Sequence, residues 1–287
     1  MSGDTTPPQV VEDFCGVVQL LSDGSVVRGD ESGLTPVQTI PELPGVQWKD
    51  VVYDATRGLK VRVYRPPLAT GEEGNKKLPV LVYFHGGGYC VGAYDQPRFH
   101  SCCRRFAAEL PALVLSVQYR LAPEHRLPAA IEDGETFLSW LRQQAELGGN
   151  ASAESWLAES ADFARTEERV ETETDPPAGV PFTVEISDQL WRMALPVGAT
   201  RDHPLTNPFG PDSPSLEPVA LPPVLVVAPG GDILNGHVRR YAAKLKEMGK
   251  AVELVEFSDQ GHAFSVTHWG EANLELIRIL KRFVSQN

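Results

Sequence analysis

The chain of 287 residues is short of several things, and each shortage removes a class of function. Its four cysteines are Cys15, Cys90, Cys102 and Cys103. Their spacing fits neither a zinc site nor a disulfide framework, so reduced thiols and no metal are expected. Basic residues are outnumbered, 26 Lys and Arg against 38 Asp and Glu, for a net charge of −12. Nucleic acids and anionic membrane surfaces recruit basic faces, so neither is an expected partner. No run approaches the roughly 20 apolar residues of a membrane-spanning helix. The stretch from Met1 to Pro8 has neither the basic start nor the apolar core of a secretory signal. The expected address is therefore the cytoplasm, with the nucleus as the alternative. No internal repeat is present, and no pattern asks for a cofactor. No Gly-x-Ser-x-Gly occurs anywhere in the chain. That pentapeptide presents a nucleophilic serine on a sharp strand-to-helix turn.

What is present begins with a glycine run. Leu78 to Phe84 is a continuous apolar stretch, the mark of a strand buried on both faces, and it empties into His85-Gly86-Gly87-Gly88. Without side chains the backbone amides there can turn outward and donate to the oxygen of a tetrahedral intermediate. Losing one such donor costs about 10² to 10³ in turnover. Strand, histidine and glycines fall in the order of an esterase oxyanion loop.

A second cluster is Val224 to Ala228, an apolar strand, followed by Pro229-Gly230-Gly231-Asp232. An acid at the carboxyl end of a parallel strand faces the crevice where such sheets bind ligands. A further strand, Val252 to Phe257, leads to Gln260-Gly261-His262-Ala263-Phe264. An aspartate followed by a histidine is the order of a catalytic triad whose serine lies upstream. Asp232 would fix the imidazole tautomer and His262 would move the proton.

These stretches together resemble the plant carboxylesterases of the hormone-sensitive-lipase branch of the α/β-hydrolases, a group that includes the gibberellin receptors. Supporting matches are Tyr119 to Ala130, the segment around Ser22-Asp23-Gly24-Ser25, Asp188-Gln189-Leu190-Trp191, and Asn207-Pro208. The resemblance implies an α/β fold with a mostly parallel sheet, in one domain over 1–287. About 1–40 would form an N-terminal lid, and about 166–206 a junction and cap. It further implies that Gly86 and Gly87 supply oxyanion amides, that Asp232 and His262 are acid and base, and that His85 and Gly88 shape the loop. The expected partner is a small ester or another hydrophobic small molecule.

The similarity is interrupted after Ala161-Asp162-Phe163-Ala164-Arg165, where relatives continue into a strand, the nucleophile turn, a helix and another strand. Here the chain passes to a polar, acidic stretch from Thr166 to Asp175, expected to be a solvated loop. By comparison with the family, roughly 40 to 50 residues are missing, the size of a βαβ unit. Ser152, Ser155 and Ser160 lie nearest in sequence, in surroundings expected to be helix or solvated loop. Three functions follow: an esterase by descent with little or no turnover, a non-hydrolytic binder of the receptor type, or a dehydratase as in related proteins.

Elsewhere, Val10 to Leu21 is expected to form an apolar-faced helix ahead of a hairpin at Asp23-Gly24. Strand pairs are expected from Val46 to Tyr64 and a charged loop from Gly71 to Lys77. Helices are expected near Arg98 to Glu109, Pro128 to Glu146 (with Gly148-Gly149 at its exit), Ser187 to Ala194, Val238 to Met248 and Glu271 to Val284, and a strand from Ala112 to Tyr119.

Overall fold

The computed structural model describes residues 7–34, 43–67, 78–110, 112–147, 155–159, 169–267 and 269–286. The expected features at 1–6, 71–77 and 148–149, with Ser152 and Ser160, lie outside the described residues.

The chain opens with strands β1 (Val10–Phe14), β2 (Val18–Leu21) and β3 (Val26–Arg28), an antiparallel sheet of their own. This corrects the helix expected over Val10 to Leu21. Cys15 and Gly16 both adopt positive φ, 51° and 70°. Two consecutive left-handed residues make the hairpin turn whose twist matches the flanking strands, and Val17 N–H closes it on the Phe14 carbonyl at 2.8 Å.

Next come β4 (Gln47–Asp54), β5 (Leu59–Arg65), β6 (Val80–Phe84), helix α1 (Pro97–Glu109), β7 (Leu113–Val117), α2 (Ala129–Leu147) and β8 (Ser155–Glu159). They form one sheet in the order β4-β5-β7-β6-β8. The two β4–β5 and β5–β7 pairs are antiparallel, whereas β6 is parallel to both β7 and β8. The apolar run of β6 is buried on both faces because alternate residues serve different layers. Leu81 and Tyr83 pack with Phe99, Phe106 and Ile277, whereas Val80 and Val82 pack with Phe137. Phe137 is fully buried, and cutting such a ring to alanine typically costs about 3 to 5 kcal/mol. The position of β8 corrects the helix or loop expected around Ser155. Its backbone is a strand in register with β6, Ser155 opposite Val80 and Glu159 opposite Phe84.

The remaining elements are α3 (Glu171–Thr174), α4 (Val184–Ala194), β9 (Val224–Gly231), α5 (Asn235–Glu247), β10 (Val252–Gly261), α6 (Phe264–Thr267) and α7 (Glu271–Gln286). Strands β9 and β10 pair in parallel as a separate sheet under α5, and among the described residues no ladder joins them to β8.

The acidic stretch is also corrected from Arg169 onward, because it is folded inward rather than solvated. The Glu173 side chain is fully buried, held by Arg169 at 2.8 Å, Arg201 at 3.0 Å and His237 Nε2 at 2.8 Å. A buried carboxylate needs such partners, since an isolated charge in the interior is prohibitively costly. Thr172 adds a second tie, donating from its hydroxyl to the Ile233 carbonyl at 2.7 Å. The segment is thereby fastened to the turn that carries Asp232.

Candidate active site

Asp232 and His262 meet because of strand register. β9 and β10 pair in one register as far as Pro229 and Phe257, then β10 shifts by two residues so that Gly231 lies opposite Gly261 and the next residue of each strand emerges beside the other. A Cβ at Gly230 would stand 2.5 Å from the Ser258 carbonyl oxygen, which is why the approach needs glycine. Asp232 Oδ2 lies 3.0 Å from His262 Nδ1, and its Oδ1 accepts the Leu234 N–H at 3.0 Å. The carboxylate is buried at 5 % exposure, while the imidazole is partly open. In neutral His262 this contact keeps the proton on Nδ1 and leaves Nε2 as the basic nitrogen. Phe182, ahead of α4, stacks on the same imidazole with centroids 4.1 Å apart. It also packs against the cluster containing Cys90, Val91, Tyr119 and Trp191, so one aromatic side chain joins His262 to the core beneath the glycine loop.

The loop leaves β6 at His85, which is buried at 3 % exposure and stacked on Tyr119 at 4.3 Å. The Tyr119 hydroxyl donates to the His85 carbonyl at 2.5 Å, and His85 Nδ1 lies 2.9 Å from the Gly86 carbonyl. Burial holds the His85 pKa down at about 4, so the ring is neutral at physiological pH. Gly87 has φ +129° and a Cβ there would stand 2.1 Å from the Val91 carbonyl oxygen. At Gly88, φ +57°, a Cβ would meet the Leu190 side chain at 2.8 Å. The Gly87 carbonyl accepts the N–H groups of Cys90 and Val91, both at 3.0 Å, which curls the loop back on itself. Among the described residues the Gly86 and Gly87 N–H groups donate to no carbonyl.

Sequence patterns gave no sign of the side chains that brace this loop from behind. Arg28, at the end of β3, donates to the Cys90 carbonyl and, at 2.7 Å, to the Ala122 carbonyl, while pairing with Glu124. Glu31 accepts the Gly92 N–H at 2.9 Å and the Gln96 amide at 2.5 Å. These contacts reach 61 to 96 residues along the chain, beyond any local signal. The sequence Gly88-Tyr89-Cys90-Val91-Gly92 has the spacing of a nucleophile turn with cysteine in place of serine. Cys90 is nonetheless fully buried, with its Sγ 3.6 Å from the Leu190 carbonyl, and serves as packing. All four cysteines are free thiols, and burial pushes Cys102 up to about 12, far from a reactive thiolate.

A family model described as alpha/beta hydrolase fold matches in two segments, 81–167 and 155–266. This chain belongs to the alpha/beta hydrolase fold family. Among its relatives, probable carboxylesterase 8 of Arabidopsis thaliana is 32 % identical over 86 % of this chain and 85 % of its own length. The chloroplastic tuliposide A-converting enzyme 1 of Tulipa gesneriana is 31 % identical over 85 % of this chain and 71 % of its own. Among solved structures, an ester-hydrolase from the metagenome of Lake Arreo superposes with a TM-score of 0.69 at 25 % identity, covering 87 % of this chain and 86 % of that one. The thermophilic carboxylesterase EstE1 shares the fold, with a TM-score of 0.71 at 23 % identity over 85 % of this chain and 90 % of that one. The match is to carboxylesterase-type members of the family.

These relatives overturn the cytoplasmic address. Two tulip enzymes are chloroplastic and another is amyloplastic. Thiols outside disulfides suit any reducing compartment, a plastid included, so they do not single out the cytoplasm.

Proposed function

We propose that this chain is a carboxylesterase-type hydrolase that keeps an acid–base pair and an anion cradle for a small ester but turns it over far below an enzymatic rate. The observation that carries the reading is the Asp232–His262 contact of 3.0 Å at the mouth of β9 and β10, in a sequence without Gly-x-Ser-x-Gly. The separate sheets β6–β8 and β9–β10 fit the loss of a central strand–helix–strand unit between them.

In this reading Asp232 holds the tautomer and His262 Nε2 removes a proton from water. The water oxygen attacks the ester carbonyl, the oxyanion rests on the Gly86 and Gly87 amides, and the departing alkoxide recovers the proton from His262. Hydrolases stripped of triad members retain about 10³ to 10⁴ over the uncatalysed rate by such means. His85 and Gly88 shape the cradle without touching the ester. A plastid address is part of the same proposal and is tested by the distribution of a fluorescent fusion in leaf cells.

The purified chain is expected to resist labelling by a fluorophosphonate probe and to cleave p-nitrophenyl acetate only slowly, with His262→Ala abolishing the excess over buffer. Stoichiometric labelling would overturn this reading. The modified peptide would then name the nucleophile, beginning with the one containing Ser160, the residue after β8 in the sequence.

A further inference from the structure

Away from the dyad and the glycine loop, the N-terminal hairpin and α4 enclose a cleft of about 550 Å³. None of Gly86, Asp232 and His262 lines it. Its walls are largely apolar, with Val11 and Leu20 on one side and Trp191, Leu195 and Val197 on the other. Volume and lining both fall in the range of small-molecule sites, about 300 to 1,000 Å³.

Charge chooses the ligand. Three guanidinium groups line the cleft, and two are matched by carboxylates, Arg192 by Glu12 at 2.6 Å and Arg201 by Glu173 at 3.0 Å, while the lining Asp188 is itself paired with Arg169 at 2.5 Å. Arg126 is the third. Its Nη1 donates to the carbonyls of Arg192 and Leu195, both at 2.7 Å, so two neutral acceptors hold the group in place, and Glu12, whose hydrogen bonds go to Arg192 and Gln189, acts on it only through space. Its Nε and Nη2 have no partner among the described residues. An anchored guanidinium with its Nε–Nη2 edge to spare is preorganised for a planar oxyanion, because the arginine entropy has already been lost in the free protein. This local positive excess stands within a chain of net charge −12, which elsewhere repels anions.

We infer that this cleft binds a small monocarboxylate with an aryl or short alkyl body, the carboxylate on Arg126 and the apolar body against Trp191 and Leu195. The site is separate from the candidate hydrolytic centre and does not depend on the reading given for it.

Calorimetric titration of the full chain with 3-phenylpropionate tests the inference, with 3-phenylpropanamide as the neutral isostere and phenyl phosphate as the tetrahedral anion. Saturable binding of the propionate is expected, weakened about tenfold or more for the amide and in Arg126→Gln, as the loss of a charged hydrogen bond implies. Val11→Trp, at a position 54 % exposed and so tolerant of bulk, is expected to block the cleft in a folded protein. His262→Ala is expected to bind as the parent does. Absence of binding, equal affinity for the amide, tighter binding of phenyl phosphate, or binding lost in His262→Ala but kept in Val11→Trp would each overturn the inference.

Discussion

The ring of Phe182 lies parallel to the imidazole of His262, with 4.1 Å between centroids and 13° between planes. The segment ahead of α4 therefore rests on the candidate base itself. Phe182→Ala is expected to cost about 1 kcal/mol from the ring pair alone and to expose one face of His262. Its rate of modification by diethyl pyrocarbonate, followed at the His262 peptide, should rise several-fold. An unchanged rate would show that Phe182 does not shield the imidazole.

Arg28 and Glu31 make the anion cradle dependent on the N-terminal hairpin. Arg28→Ala removes two bonds to buried carbonyls and is expected to destabilise the chain by about 1 to 3 kcal/mol. Hydrogen exchange at the amides of residues 86–92 should accelerate in Arg28→Ala and, through the freed Gly92 N–H, in Glu31→Gln. Protection that stays at the parental level in both variants would refute the coupling.

His85 links stability to pH. In the unfolded chain its imidazole takes up a proton near 6.5, in the folded chain only near 4. Between those values the unfolded state binds more protons, so stability rises with pH across this window. The contribution is fully present above about pH 6.5 and is lost as pH falls towards 4, on the order of 3 kcal/mol for such a difference. Urea midpoints from pH 7 to 4.5 should fall less steeply in His85→Gln than in the parent. Equal slopes would rule this contribution out.

Glu173 anchors the folded acidic segment. Glu173→Gln leaves Arg169 and Arg201 facing a neutral amide in a buried site and should cost about 3 to 5 kcal/mol. A thermal melt reads the loss. A midpoint within a degree of the parent would show that the cluster contributes nothing net to stability.

Much of the fold was legible because its signals are local. The unbroken apolar runs of β6 and β9 announce buried parallel strands, and α2 begins just after Pro128, as a proline at a helix entrance predicts. The N-terminal hairpin departs from the expected helix because an apolar face over Val10 to Leu21 suits helix or strand at that length. The left-handed pair at Cys15 and Gly16 decides between them. The acidic stretch looked solvated because its balancing cations include Arg201, which lies 28 residues away from Glu173. β8 carries no local strand signal because its strand character comes from pairing with β6.

By itself the sequence determined which chemical groups this protein owns: a glycine loop behind an apolar strand, an aspartate and a histidine each following another, and no serine in a nucleophile turn. Those are properties of short segments, set by sterics and hydrophobic patterning within a few residues. Only the tertiary structure decided how the groups meet. The Gly231–Gly261 register sets Asp232 beside His262, Phe182 covers the base, Arg28 braces the loop from across the chain, and Arg126 is left with its Nε–Nη2 edge to spare in a greasy cleft. Each of these contacts closes a long loop, whose entropy is repaid only when the whole core packs, so no local pattern records it.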